Sequence, residues 1–219
     1  MLLKGFSSEG RKNQEEREAL LLSLSEAVSL DVWTVGPSDL SVLAPPYSQY
    51  SNAISASFTN KEGDLLFPPA IVLEKDAIRI GVIGLSAAPS SPRSNQAYLP
   101  PETALKRGLE ALPNDLDLVV ALGSLSGDAI KQLAKAPSGV SLFLTTKGDA
   151  LNSPIYPDAS SSSMIIETPD RGRYIQNIYI RLGAEGSHPI EALEDEQVWR
   201  DHILSAEDSK LHLIGSGRN

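Results

Sequence analysis

The sequence predicts an α/β protein with a mixed sheet, and three observations predict it. Short runs rich in β-branched and apolar residues recur along the chain: D-V-W-T-V, I-R-I-G-V-I-G-L, D-L-D-L-V-V-A-L and V-S-L-F-L-T-T. Stretches with three- and four-residue apolar spacing lie between them, so the period switches repeatedly from 2 to 3.6. The segment from Asp115 to Thr146 reads strand, helix, strand, a right-handed crossover that makes part of the sheet parallel, whereas two hairpin signals add antiparallel strands.

Each element follows in order. Between Gln14 and Ser29, Ala19, Leu20, Leu22, Leu24, Ala27 and Val28 fall at helical steps behind an acidic start, Glu15, Glu16 and Glu18, which predicts an amphipathic helix. Asp31 to Val35 is a short buried strand stopped by Gly36-Pro37, and G-P-S-D reads as a turn. Ala53 to Phe58 alternates apolar and small polar residues and predicts a strand. Ile71–Glu74 and Ala77–Leu85 flank a charged Lys75-Asp76 turn and form a hairpin, whose second arm is apolar enough to be a central strand covered on both faces. A Pro/Ser-rich loop follows, and Pro101-Glu102-Thr103 opens a helix carrying Ala104, Leu105, Leu109 and Leu112. Asp115–Leu122, Asp128–Ala136 and Val140–Thr146 supply the strand–helix–strand crossover. After the Ser160–Ser163 loop, M-I-I-E-T and R-Y-I-Q-N-I-Y-I-R-L flank a P-D-R-G turn and predict a second hairpin.

Residues 1–183 therefore read as one domain, and 184–219 as an acidic tail with a surface helix over Ala192–Leu204. The 41% apolar and 21% charged content is that of a soluble globular chain. A formal charge of −9, with no basic cluster to reverse it locally, repels phosphate backbones, so nucleic acid is not an expected partner. The absence of cysteine excludes disulfides, thiolate metal sites and cysteine nucleophiles. No apolar run approaches the roughly 18 residues that span a bilayer, and the first residues carry no signal-peptide core, so membrane insertion is not expected.

The order of elements, with A-I-R-I-G-V-I-G-L-S, S-A-S-F, D-L-V-V-A-L-G-S-L-S-G and F-L-T-T-K-G-D at their places, resembles the metallophosphoesterase (calcineurin-like) domain of the 5′-nucleotidase family, from about Glu15 to Leu182. The resemblance implies a four-layer α-β-β-α sandwich. It also implies phosphomonoester hydrolysis by two divalent metals (Mn, Zn or Mg) held by His, Asp and Asn at the carboxyl ends of strands. Two of that family's motifs would lie before Met1, so the chain is expected either to lack the first strand–helix–strand unit of the fold or to be a truncated piece.

At the positions matching the family's motifs the residue types are wrong for that chemistry. The loop that supplies an Asn and a His is Gly36-Pro37-Ser38-Asp39, the Ser-His that follows V-A-L is Gly123-Ser124, and the Gly-His-x-His motif is Thr146-Lys147-Gly148-Asp149. Proline has no side-chain donor, and an ammonium repels cations. The three histidines, His188, His202 and His212, all fall in the tail. Ser38, Asp39 and Ser124 are the candidate site residues; Asp39 and Asp149 could share one weak cation, and Lys147 could take an anion. Competing motifs fail: I-G-V-I-G-L lacks the third glycine of a dinucleotide fingerprint, and G-S-L-S-G is not a nucleophile elbow.

The expected function is that of a degenerate metallophosphoesterase-like domain, without a metal cofactor, that binds a protein partner or a small anionic ligand. The alternative is a metal-dependent phosphohydrolase completed by an upstream segment or a second chain. The resemblance suggests a periplasmic or extracellular location, which nothing in the residues themselves supports.

Overall fold

A computed structural model describes residues 8–27, 29–75, 77–90, 95–135, 139–147, 155–157, 163–169, 180–182 and 190–192. The chain opens with α1 (Ser8–Ala27), which starts earlier than the apolar spacing required, and enters β1 (Trp33–Thr34). The G-P-S-D stretch is not a turn but the start of a helix, α2 (Pro37–Val42). Gly36 is its extended N-cap, Pro37 takes the first helical position, where its missing N–H costs nothing, and Asp39 accepts the Gly36 N–H at 2.8 Å. Turn and helix start draw on the same residues, so the sequence alone did not separate them.

A 3-10 turn at Tyr47–Gln49 leads to β2 (Ala53–Ile54), parallel to β1, and then to β3 (Phe58–Asn60). The strand expected over Ala53–Phe58 is split because Ser55, Ala56 and Ser57 leave the small sheet: Ser55 N–H donates to Pro68 O at 2.9 Å and Ala56 N–H to Gly84 O at 2.8 Å. The expected hairpin forms as β4 (Ala70–Lys75) and β5 (Ile78–Ser86), in register from Ala70 opposite Ile83 to Lys75 opposite Ile78. Just after the Pro/Ser-rich loop, where the sequence reading assigned no element, β6 (Gln96–Tyr98) pairs antiparallel with β3. Then come α3 (Pro101–Glu110), β7 (Leu118–Ser124), α4 (Gly127–Lys135), β8 (Leu142–Lys147), β9 (Ile155–Pro157), β10 (Met164–Pro169), β11 (Ile180–Leu182) and β12 (Ile190–Ala192).

The main sheet has the order β4-β5-β7-β8-β10-β9, parallel from β5 to β10 and antiparallel at both edges. The second hairpin differs from expectation: β10 lies between β8 and β9, and Ile180–Leu182 pairs with Ile190–Ala192. The rest of its expected second arm, 173–179, lies outside the described residues, as does all of the expected tail helix beyond Ala192.

The layers are α1 and α2, the small β1–β2 sheet, the six-stranded sheet, and α3 with α4. Ile83, Leu85, Ala121, Phe143 and Ile165 face Leu105 of α3 and Ile130 and Leu133 of α4 in the largest core. Helix α3 sits directly on β5, since a Cβ on Gly108 would lie 2.3 Å from Ile83 Cγ2. On the other side Val35, Leu40, Leu43, Tyr50, Phe58 and Phe67 pack with Leu21 and Leu22 of α1. The two sheets meet at Gly84, where a Cβ would be 2.7 Å from the Ile54 carbonyl oxygen; a side chain there would force them apart. This is the four-layer α-β-β-α sandwich.

Candidate functional site

The second contact between the sheets brings the carboxyl ends of β1 and β7 together, and with them most of the candidate residues. Thr34 Oγ1 donates to the Leu122 carbonyl at 3.1 Å, which ties the last residue of β1 to β7 two residues before its end. Two residues beyond Thr34 and Leu122 respectively, Gly36 and Ser124 stand side by side. A Cβ on Gly36 would be 3.7 Å from Ser124 Oγ and 3.3 Å from Asp39 Oδ2, so both oxygens border the same point. The structure thus assembles Gly36, Asp39 and Ser124.

Each of these groups is turned inward. The Asp39 carboxylate folds back on the Gly36 N–H and fixes the first turn of α2. Burial raises its pKa above the usual carboxylate value, and the Gly36 N–H offsets part of that rise, so the charged form is the disfavoured one. The Ser124 hydroxyl has less than 1 Å² of accessible surface and makes no hydrogen bond, alone in this among the buried side-chain polar atoms described. Ser38 is exposed, and its carbonyl accepts from Ser41 Oγ at 2.6 Å. With Asp39, Ser41, Arg17, Leu20, Leu21 and Val42 it lines a shallow cleft of about 350 Å³ between α1 and α2. Lys147 ends β8, at the same end of the sheet as Ser124. Asp149 lies outside the described residues.

Sequence reasoning missed two polar networks. Tyr50, buried under α1, bonds to the Glu18 carboxylate, to the Ala44 carbonyl at 3.0 Å and to Gln49 Nε2 at 2.9 Å, while Ala44 N–H reaches Glu18 Oε1 at 3.3 Å. These bonds seat α1 on the 44–50 loop. Desolvation and the Glu18 carboxylate push the Tyr50 phenol up to about 12. Ser57 Oγ accepts the Ser86 N–H at 2.9 Å at the end of β5, and the Tyr98 hydroxyl donates to the Ser86 carbonyl at 2.9 Å. The only sequence signal for the second network was a pair of serines inside the apolar A-I-S-A-S-F run.

Among the described residues, the donors at the strand ends do not fit a dinuclear metal centre. Such a centre needs several imidazole and carboxylate donors converging on a shared space. Here the Asp39 carboxylate accepts the Gly36 N–H and the Ser124 hydroxyl bonds to no other protein group. Among the described residues no three His, Cys, Asp or Glu side chains are grouped so as to hold a metal ion.

The architecture is the metallophosphoesterase-type fold, and solved structures show the likeness. A 5′-nucleotidase precursor from Thermus thermophilus matches at 17% identity and a TM-score of 0.55, over 70% of this chain and 35% of that one. The sulfate thiohydrolase SoxB of Thermus thermophilus, solved with glycerol, matches at 16% identity and a TM-score of 0.56, over 71% and 30%. A putative 5′-nucleotidase from Staphylococcus aureus, in complex with alpha-ketoglutarate, matches at 13% identity and a TM-score of 0.54, over 80% and 39%. At these identities the likeness is one of fold, and the chain spans 30–39% of the length of those proteins. No family model and no curated protein matches the sequence. Among the described residues no helix is long and apolar enough to cross a membrane.

Proposed function

We propose that this chain is a metallophosphoesterase-fold domain, related to 5′-nucleotidases, that acts as a binding or scaffold module and does not carry out dinuclear-metal hydrolysis. The observation that carries the reading is the chemistry at the strand ends. Where the fold's hydrolases are expected to place Asn, His and paired His ligands, this chain places Pro37 with Ser38, Ser124, and Lys147 with Asp149. The layers of the fold surround a site in which the Asp39 carboxylate bonds to the Gly36 N–H. Such a domain keeps a rigid surface for a protein partner or a small anion after losing its chemistry. The test is hydrolysis of p-nitrophenyl phosphate and AMP with added Mn²⁺: no turnover is expected, and turnover abolished by Asp39→Ala or Asp149→Ala would overturn the proposal.

A second reading, a phosphohydrolase completed by an upstream segment or a partner chain, is favoured by one fact: the chain covers only 30–39% of the three solved proteins described above. It predicts that supplying further sequence restores activity. It must also provide every imidazole that positions 38, 124 and 147 lack. The family likeness carries with it a location outside the cytoplasm, which secretion of an epitope-tagged full-length protein would test.

A further inference from the structure

Resting on the reading of a binding module, we propose that the free edge of β1 is the module's docking surface, and that its occupant is an extended, β-branched segment of a partner protein that joins the small sheet as a third strand. The edge is open in its hydrogen bonding. Trp33 N–H donates to Asn52 O at 3.0 Å and Val35 N–H to Ile54 O at 3.1 Å, so the residues on either side of Thr34 face β2. The Thr34 N–H and C=O point the other way, and among the described residues no hydrogen bond takes them up. The edge is also undefended: soluble proteins blunt an exposed edge with lysine or proline, and D-V-W-T-V carries neither. A two-stranded sheet is marginal by itself, and parallel strands are ordinarily interior ones.

The surface beside the edge suits a strand. The small sheet runs in step with the large one, with Ile54 of β2 against Gly84 of β5 and Thr34 of β1 against Leu122 of β7. Gly84, Leu122 and Leu144 form one cross-strand row through β5, β7 and β8. The small sheet ends at β1, so a strand set about 4.8 Å beyond it would lie over β8 and meet Leu144. That side chain belongs to the apolar face turned away from α3 and α4, and it stays partly exposed between buried Leu142 and Ile166. Main-chain bonds to Thr34 would supply affinity, and apolar side chains on alternate residues would settle on Leu144 and Leu122. A second copy does not fit: the large sheet continues past β7 through β8, β10 and β9, and in a two-fold pairing of β1 edges those strands would run into the other copy.

The probe is a fluorescein-labelled peptide, K-V-T-V-T-V-K, titrated with the full chain and read by anisotropy. Saturable binding is expected. Two further peptides carry N-methyl groups, one on its valine amides and the other on its threonine amides. Only one of these sets can face β1, so one peptide should bind about tenfold more weakly than the other, the effect of losing two main-chain bonds. On the protein side, Thr34→Pro removes the edge N–H and is compared with Thr34→Val, which loses the bond to Leu122 in the same way but keeps the N–H. The proline variant should bind about tenfold more weakly. No saturable binding, or equal binding of the two methylated peptides, would overturn the proposal. Should Thr34→Pro fail to fold, the methylated pair on the wild-type chain decides. A concentration-dependent dimer in light scattering, competed away by the unmodified peptide, would put a second copy on the edge and overturn the assigned partner. Phosphatase activity of the wild-type chain is scored separately: turnover contradicts the proposed function, whereas absent peptide binding without turnover contradicts only the docking edge.

Discussion

Ser124→Ala should stabilise the protein. In the folded chain the Ser124 hydroxyl has lost its water and gained no partner. Leaving a buried polar group unsatisfied costs about 1–3 kcal/mol, while its replacement by an apolar group of similar shape is close to neutral. Alanine removes a single oxygen and adds no atom, so the space opened is small. We expect a gain of about 1 kcal/mol, or about 2–4 °C in Tm for a chain of this size. The assay is urea unfolding followed by circular dichroism, read as a shift in midpoint at constant m-value. Ser57→Ala is the matched control. Its hydroxyl is also buried but accepts the Ser86 N–H at 2.9 Å, so the same chemical change should cost about 1–3 kcal/mol. The opposite signs are the prediction. If Ser124→Ala lost more than about 1 kcal/mol, the hydroxyl would have a partner and the inward-turned site would be wrong.

The other predictions concern groups that hold the layers together. Asp39→Asn keeps an acceptor for the Gly36 N–H and removes a desolvated charge. Because burial raises the carboxyl pKa above 3.8, its favourable contribution is full below that value and lost as pH rises through the folded pKa. The asparagine variant should therefore be the more stable at neutral pH, with the difference closing in acid, as thermal melts across pH would record. Tyr50, with its phenol pushed up to about 12, stabilises fully below pH 10 and loses that contribution between pH 10 and 12. Tyr50→Phe should flatten the alkaline limb of a stability–pH curve while lowering stability by about 1–2 kcal/mol at neutral pH, through the lost hydroxyl bonds to Glu18 and Ala44. Gly108→Ala drives a methyl into Ile83 and should cost about 1–3 kcal/mol in denaturant unfolding, with a part recovered when Ile83→Ala is added in a double-mutant cycle.

What was legible in the sequence was the part written in apolar runs. The β4–β5 hairpin and the β7–α4–β8 crossover were legible because continuous runs such as I-G-V-I-G-L leave little choice of structure. Edge strands of three residues, β6 and β9, carry no period to detect, and the sequence reading assigned them no element. The split between β2 and β3 was hidden because Ser55 and Ser57 are as buried as their apolar neighbours, and the backbone of that segment answers to Pro68 and Gly84 far along the chain. The partners of a strand are likewise not encoded in its own alternation, which is why the pairing of β10 with β8 and β9 was not read from the sequence. At the site, the nearness of Asp39 and Ser124 was implied by the order of motifs. Whether their oxygens face a shared space or the backbone depends on side-chain orientation, which no residue pattern records.

The central claim, that this fold persists here without its dinuclear chemistry, is tested most directly by metal content. Protein purified without chelator is analysed by elemental mass spectrometry beside its turnover of p-nitrophenyl phosphate and AMP with Mn²⁺. The account predicts no stoichiometric metal and no turnover. Two equivalents of a divalent metal, with activity lost in Asp39→Ala, would contradict it.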